Sequence, residues 1–293
     1  MKKYLSLLLA VLMTASLLAG CGGSDDTAAD DTADTETTDT ADTGDTASTG
    51  SGVELKFTTG GDQGTYYGFG TVLAQYVTSN TGSKVTAVVS NGSQDNIEQM
   101  GMNTAQLGFV QSDVMSYAYN GERLFEGMAD TSFSTVAALY MEQVQIVTCD
   151  PSIQSVADLK GKNVSIGASG SGVYYNALDV LSAYGLSESD ISATYQDFGN
   201  SVDALQDGKI DAAFVVAGAP TVAITTLATA KDTYLVSLDD EHIAKLKEAS
   251  PYYEEYTIAE GTYEGVPETQ TVAVVATIIA RDDVSEADVY NIV

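Results

Sequence analysis

The sequence predicts an α/β protein built of two similar lobes. Strand-like and helix-like segments alternate with short connections from residue 53 to the end of the 293-residue chain, the pattern of mostly parallel sheets. A glycine–tyrosine loop that opens a helix occurs twice. An apolar strand follows it twice, in the same order. At roughly 240 residues the folded part is large enough for two modest domains.

Residues 53–60, VELKFTTG, alternate like a strand that stops at glycine. The spacing predicts a helix from Thr65 with Phe69, Val72, Leu73, Tyr76 and Val77 on one apolar face. KVTAVVS is the next strand, and Ser93 is placed to N-cap the helix after it. AQLGFVQSD is a short buried strand, VMSYAYNGE a helix, and VAALYMEQVQIVTCD a longer strand closed by Pro151. The order then repeats. SVADLKGK is a short helix, NVSIG a strand, and ASGSGVYYNALDVLSAYG a glycine-rich loop running into a helix that Gly185 stops. SATYQDF is strand-like, GNSVDALQDGK helical, IDAAFVVAG a strand, APTVAITTLATA helical and TYLVSL a strand. His242, the one histidine, lies in the polar helix-like DDEHIAKLKE and is expected to face solvent.

The repeat extends to single residues. GGDQGTYYGFGTVLAQY (60–76) aligns with ASGSGVYYNALDVLSAY (168–184), so that Gly64 meets Gly172, Tyr66 meets Tyr174 and Tyr67 meets Tyr175. AQLGFVQSD (105–113) aligns with IDAAFVVAG (210–218), Phe109-Val110 on Phe214-Val215. In open α/β sheets ligands sit beyond the carboxyl ends of the strands, so two lobes whose loops face one another make a cleft there. Most of these loops feed helix N-termini, whose unpaired N–H groups and dipoles favour an anion. A phosphate-binding P-loop needs a lysine after its last glycine. Here Gly64 is followed by Thr65-Tyr66-Tyr67 and Gly172 by Val173-Tyr174-Tyr175, and no lysine or arginine falls in the loops, which argues against a nucleoside triphosphate. GFG and SGSG are weak matches to a dinucleotide fingerprint.

The loops offer hydroxyls, amides and aromatic faces instead. The candidate ligand-binding residues of the first half are Gly64, Thr65, Tyr66, Ser90, Asn91, Ser93, Gln111 and Ser112. Those of the second half are Ser169, Gly170, Ser171, Gly172, Tyr174, Ala217 and Gly218. They suit a small carboxylate or amino acid held by neutral donors. Asp113 either binds an ammonium group or caps the helix that follows. Tyr66 and Tyr174 are expected to confront each other across the cleft while the second tyrosine of each pair packs into its lobe. Gly64 and Gly172 are expected to let the chain turn tightly at the helix starts.

The N-terminus, MKKYLSLLLAVLMTASLLAGC, has a charged start, a short apolar run and a small-residue ending, which marks a secretory signal rather than a spanning helix. LAGC resembles the lipobox of bacterial lipoproteins, which implies that residues 1–20 are removed and that Cys21 carries lipid. Residues 22–52 contain only Gly, Ser, Asp, Thr, Ala and Glu, too little apolar surface to offset chain entropy, so 21–52 is expected to be a disordered acidic tether. The glycine-punctuated spacing of calcium loops is missing from it. With Cys21 lipidated, Cys149 has no partner and reads as a small half-buried residue. One histidine and one free cysteine are too few for the usual triads and transition-metal clusters, so no catalytic residue, metal or cofactor is expected. A net charge of −29 repels nucleic acid and excludes it as a partner.

TGGDQGTYYGFGTVLA, NGSQDNIEQM, TAQLGFVQSDVMSYAYNGE, VADLKGKNVSIGASGSG, ALQDGKIDAAFVVAGAPT and TVAVVATIIARDD together resemble the TAXI group of TRAP-transporter solute-binding proteins, over essentially all of 53–293. The resemblance implies a two-lobed periplasmic-binding-protein fold of type II, with two hinge strands crossing near 141–148 and 271–280. Residues 53–145 plus 271–293 would form the first lobe and 146–270 the second. It implies no enzyme but an exported monomer, lipid-anchored on the outer face of the cytoplasmic membrane. That monomer would close on a small anionic or zwitterionic solute of the glutamate, glutamine or 2-oxoglutarate type and deliver it to a TRAP-type membrane permease. A ligand-binding sensor input for a membrane signalling receptor shares the fold and the ligand, and stays open beside it. There are two departures. The chain stops at DVYNIV, inside a helix that family members continue. The arginine that clamps carboxylate in the other TRAP binding-protein group has no visible counterpart, so the anion must rely on helix N-termini and neutral donors.

Overall fold

The computed structural model describes residues 49–293; the signal-like segment, Cys21 and the acidic stretch to residue 48 lie outside the described residues. β1 (Glu54–Thr58) leads into α1 (Thr65–Asn80), β2 (Lys84–Val88) into α2 (Ser93–Gly101), and β3 (Leu107–Gln111) directly into α3 (Ser112–Asn120). The long β4 (Phe133–Thr148) crosses to the second lobe, where the order recurs: β5 (Asn163–Ser165), α4 (Gly172–Ala183), β6 (Ser192–Thr194), α5 (Phe198–Gln206), β7 (Ala212–Ala217) and α6 (Val222–Ala230). β8 (Tyr234–Leu235), α7 (Asp240–Ala249) and β9 (Glu254–Ile258) complete that lobe. β10 (Thr269–Arg281) returns to the first lobe, and α8 (Glu286–Ile292) follows. β9 was not legible in the sequence, because EEYTI has too few apolar residues to show a strand period. The short helix expected in SVADLKGK is one 3₁₀ turn, Val156–Leu159.

The strands hydrogen-bond in the order β2-β1-β3-β10-β4-β7-β5-β6. Each lobe therefore has three parallel strands and one long antiparallel strand. β10 pairs with β3 over Ala276–Ala280, and β4 pairs with β7 over Gln143–Thr148. β4 and β10 also pair with each other, from Phe133–Arg281 to Gln143–Ala273, so that β10 lies between β3 and β4. The registers of the lobes correspond: Thr58 stands opposite Gly108 in one and Ser165 opposite Ala213 in the other. Helices cover both faces, so the parallel strands are apolar on both sides. Phe109 joins the core under α1 while Val110 joins the core under α2 and α3. Phe214 and Val215 divide in the same way.

The apolar face expected on α1 holds at Leu73 and Val77 and is corrected at the other three positions. Phe69, Val72 and Tyr76 are 41%, 68% and 65% exposed, and the buried residues are Tyr66, Gly70, Ala74 and Val77. The cause is close approach to the sheet: a Cβ on Gly70 would lie 2.7 Å from the Thr59 methyl, so only small residues fit there. Tyr66 stacks on Phe109 with ring centroids 4.5 Å apart, and Phe57 stacks on Phe109 at 4.9 Å. Three smaller expectations also change. Gly92, at φ 110°, is the N-cap of α2, a conformation open to glycine, while the Ser93 hydroxyl accepts the Gln111 N–H. His242 is half-buried, stacked on Tyr184 at 3.5 Å with Nδ1 on Asp239 at 2.7 Å. The last residues of the expected tether are docked: the Ser51 N–H donates to Asp288, which also accepts from the Ser83 and Ser285 hydroxyls.

The α1 correction has a measurable form. Phe109→Ala removes the ring on which Phe57 and Tyr66 stack and is expected to cost about 3–5 kcal/mol in urea unfolding. Val72→Ser, at an exposed position, is expected to stay within about 0.5 kcal/mol of the parent. A large loss from Val72→Ser would restore the face read from periodicity.

Candidate ligand-binding site

The carboxyl ends of β1, β2 and β3 face those of β5 and β7 across the line where β4 and β10 pass between lobes. Their loops enclose a cavity of about 60 Å³. That is room for about four to six water molecules at ~10–15 Å³ each. From the first half, Gly64, Thr65, Tyr66, Ser90, Asn91, Ser93 and Gln111 line it. Ser171, Gly172 and Ala217 line it from the second.

The other candidate residues lie outside this wall. Ser112 accepts the Val275 N–H, and Ser169 is on the exterior. The carbonyl of Gly170 accepts the Asp95 N–H and that of Gly218 accepts the Thr65 hydroxyl, so these two close the lobes upon each other beside the cavity. Asp113 is buried between the lobes, where one carboxylate oxygen accepts the Asn176 amide at 2.9 Å. The wall also includes residues that were not among the candidate ligand-binding residues: Glu142 on β4, Asp197 and Phe198 at the start of α5, and Val173.

Tyr66 and Tyr174 do not confront each other. The helix starts differ from the residue alignment by one position: the N-cap of α1 is Gly64, but that of α4 is Ser171. A one-residue slip turns a helical side chain by about 100°. Tyr66 thus corresponds to Val173, and both line the cavity. Tyr174 turns outward, its hydroxyl donating to Glu188 at 3.1 Å. Tyr175 packs into the opposite lobe rather than its own. It joins the core of α2 and α3, 5.9 Å from Tyr117, and its hydroxyl donates to Gln94.

The two glycines are also there for a different reason than turn formation. Gly64 has φ −103°, which any residue adopts; a Cβ there would press on the Phe198 ring at 3.4 Å and on the Gly61 carbonyl at 3.3 Å. At Gly172 a Cβ would lie 1.6 Å from Gln111 Oε1 and 2.9 Å from Ser93 Oγ. The close approach of the lobes is what requires glycine at Gly172, while at Gly64 the space is tight. Gln111 is held in that position, since its Nε2 donates to Asn176 Oδ1 at 3.0 Å. Arg123 and Asp179 add an ion pair across the junction at 2.8 Å.

The electrostatics of the wall are two-sided. Among the described residues no lysine, arginine or histidine lines the cavity. α1, α2 and α4 all begin there without a side-chain cap, so their N–H groups and dipoles supply positive potential. Glu142 is the acid opposite them: burial holds its carboxyl well above the usual carboxylate range, opposed by the Tyr66 hydroxyl and reinforced by Asp113, so it favours the neutral form until a cation meets it. Asp197 spends its carboxylate on capping α5, accepting the Asn200 N–H at 2.8 Å.

Residues 57–293 match the NMT1-like family. Among solved structures the fold is similar to that of a periplasmic transporter, with TM-score 0.55 and 14% identity over 82% of this chain and 80% of that one. It is similar to a Bordetella bronchiseptica RB50 protein, with TM-score 0.53 and 17% identity over 81% and 65%. The alkanesulfonate-binding protein SsuA of Xanthomonas axonopodis pv. citri aligns with TM-score 0.49 and 16% identity over 78% and 65%. The chain thus spans 65% of the length of those last two proteins. The architecture is that of two-lobed periplasmic binding proteins of type II.

Asp113 makes the protein's stability depend on pH. Burial pushes its carboxyl from 3.8 up to about 6, against the pull of the Val114 N–H and the Asn176 amide. The folded protein therefore favours the protonated acid. That contribution, on the order of 3 kcal/mol, is full below about pH 4 and is lost as pH rises through about 6. Urea unfolding is expected to give a more stable protein at about pH 5 than at about pH 7.5, with part of the difference removed by Asp113→Asn. A parent protein that gains stability over that interval contradicts this assignment.

Proposed function

The chain belongs to the NMT1-like family, and on that premise we propose that it is an extracytoplasmic solute-binding receptor. It captures a small organic acid or amino acid between its lobes, makes and breaks no bond, and hands the solute to a TRAP-type membrane permease. Lipid on Cys21 holds it at the outer face of the cytoplasmic membrane. The observation that carries this reading is the cavity, on which uncapped helix N-termini from both lobes converge. A solute seated there contacts both lobes at once, so it binds the closed form more tightly than the open one, and that difference drives a hinge. The motifs shared with the TAXI group support the transporter assignment.

Two experiments test the reading. In a thermal-shift panel of acidic, neutral and amino-acid solutes, a true ligand at about 100 times its Kd is expected to add about 2.7 kcal/mol of stability. Silence across all three classes would sink the proposal. Gly172→Ala puts a methyl against Gln111 and is expected to hold the lobes apart: circular dichroism unchanged, affinity for the ligand found in the panel reduced about tenfold or more. Unchanged affinity would mean that binding does not need this closed geometry.

A further inference from the structure

We propose that Glu142 receives an ammonium group of the solute, so that the receptor takes a zwitterionic α-amino acid in preference to the 2-oxo acid of the same skeleton. This deepens the receptor reading and rests on it.

Glu142 sits where β4 passes from one lobe to the other. Its register partner is Val274 on β10, and its neighbour Gln143 pairs with both Ala273 of β10 and Ala217 of β7. The residue is 2% exposed and its side chain forms part of the cavity wall. Among the described residues its hydrogen-bond partner is Tyr66, whose hydroxyl donates to Oε2 at 2.6 Å. The titratable groups acting on Glu142 and Tyr66 are Asp113, Tyr140 and each other, none of them a cation. A carboxylate buried this way is costly unless positive charge arrives from elsewhere. Asp197, the other acid of the wall, already accepts from the Asn200 N–H and side-chain amide, so it does not compete for that charge.

The opposite pole is formed by the starts of α1, α2 and α4. The N-cap of α4, Ser171, is 4% exposed and its hydroxyl has no hydrogen-bond partner among the described residues. N–H groups at helix starts and a buried hydroxyl suit a carboxylate. A cavity of about 60 Å³ with donors at one wall and one carboxylate at another has the charge pattern of a zwitterion. An α-amino acid satisfies both poles. Its 2-oxo acid turns a carbonyl oxygen toward Glu142, which stays the neutral acid with one O–H to donate, whereas the amino acid brings a positive charge and three N–H donors that pair with the ionised carboxylate.

Isothermal titration calorimetry on the full folded chain tests the proposal with L-α-amino acids, each paired with its own 2-oxo acid: glutamate with 2-oxoglutarate, alanine with pyruvate, and so on through the panel. At least one amino acid is expected to bind about 100-fold tighter than its partner, a difference of about 2.7 kcal/mol. Glu142→Gln is expected to remove most of that ratio. Glu142→Asp, which retains the charge, is expected to keep part of it. Melting curves of both variants show that the fold survives. A 2-oxo acid that binds as tightly as its amino acid, or a ratio unmoved by Glu142→Gln, overturns the proposal. If solutes of another class bind and no amino acid does, this inference falls and the receptor reading stands. If nothing binds, both fall.

Discussion

The antiparallel pairing of β4 with β10 is the constraint on which everything else rests. These strands pair with each other in the middle of the sheet, and each ends by joining the parallel strands of one lobe. The lobes are thereby fixed at one edge and free at the other. Closure is then decided by what meets at the free edge. Burying the Tyr175 side chain in the opposite lobe is worth about 1.5–3 kcal/mol on apolar area alone. The Arg123–Asp179 pair, with the guanidinium about one-third exposed, contributes less, since such pairs give about 0–1 kcal/mol. The aromatic plug outweighs the ion pair, and the Gly172–Gln111 approach sets how far it travels.

Element order was legible because strand and helix periods differ and glycine punctuates both. What was not legible depended on distances between elements. The α1 stripe of Phe69, Val72 and Tyr76 has a regular helical spacing, yet the helix turns Gly70 and Ala74 to the sheet because the backbone comes too close for anything larger. Periodicity reports that a helix has a preferred face, not how near the neighbouring layer lies.

The site was partly legible for a related reason. Ten of the candidate residues line the cavity, because loops that feed helix starts must gather at the carboxyl ends of parallel strands. The tyrosine pairing failed by one residue, since identity aligned Gly64 with Gly172 whereas the helices begin at Thr65 and Gly172. Glu142 was passed over inside a long strand whose residues 141–148 were expected only to cross between lobes. Its signal was there: a charged residue within a strand covered on both faces has to meet a partner or a cavity. Asp113, one residue into α3, looked like a cap or a ligand contact and is a junction residue, because β3 runs into α3 with no loop between them.

The contact of Ser51 with Asp288 makes one side chain a clasp. Asp288 belongs to α8 and also holds Ser83 before β2, so the residues ahead of β1 are tied to the last helix and to the start of the second strand. Three segments of the first lobe thus share one carboxylate, and losing Asp288 releases Ser51, Ser83 and Ser285 together.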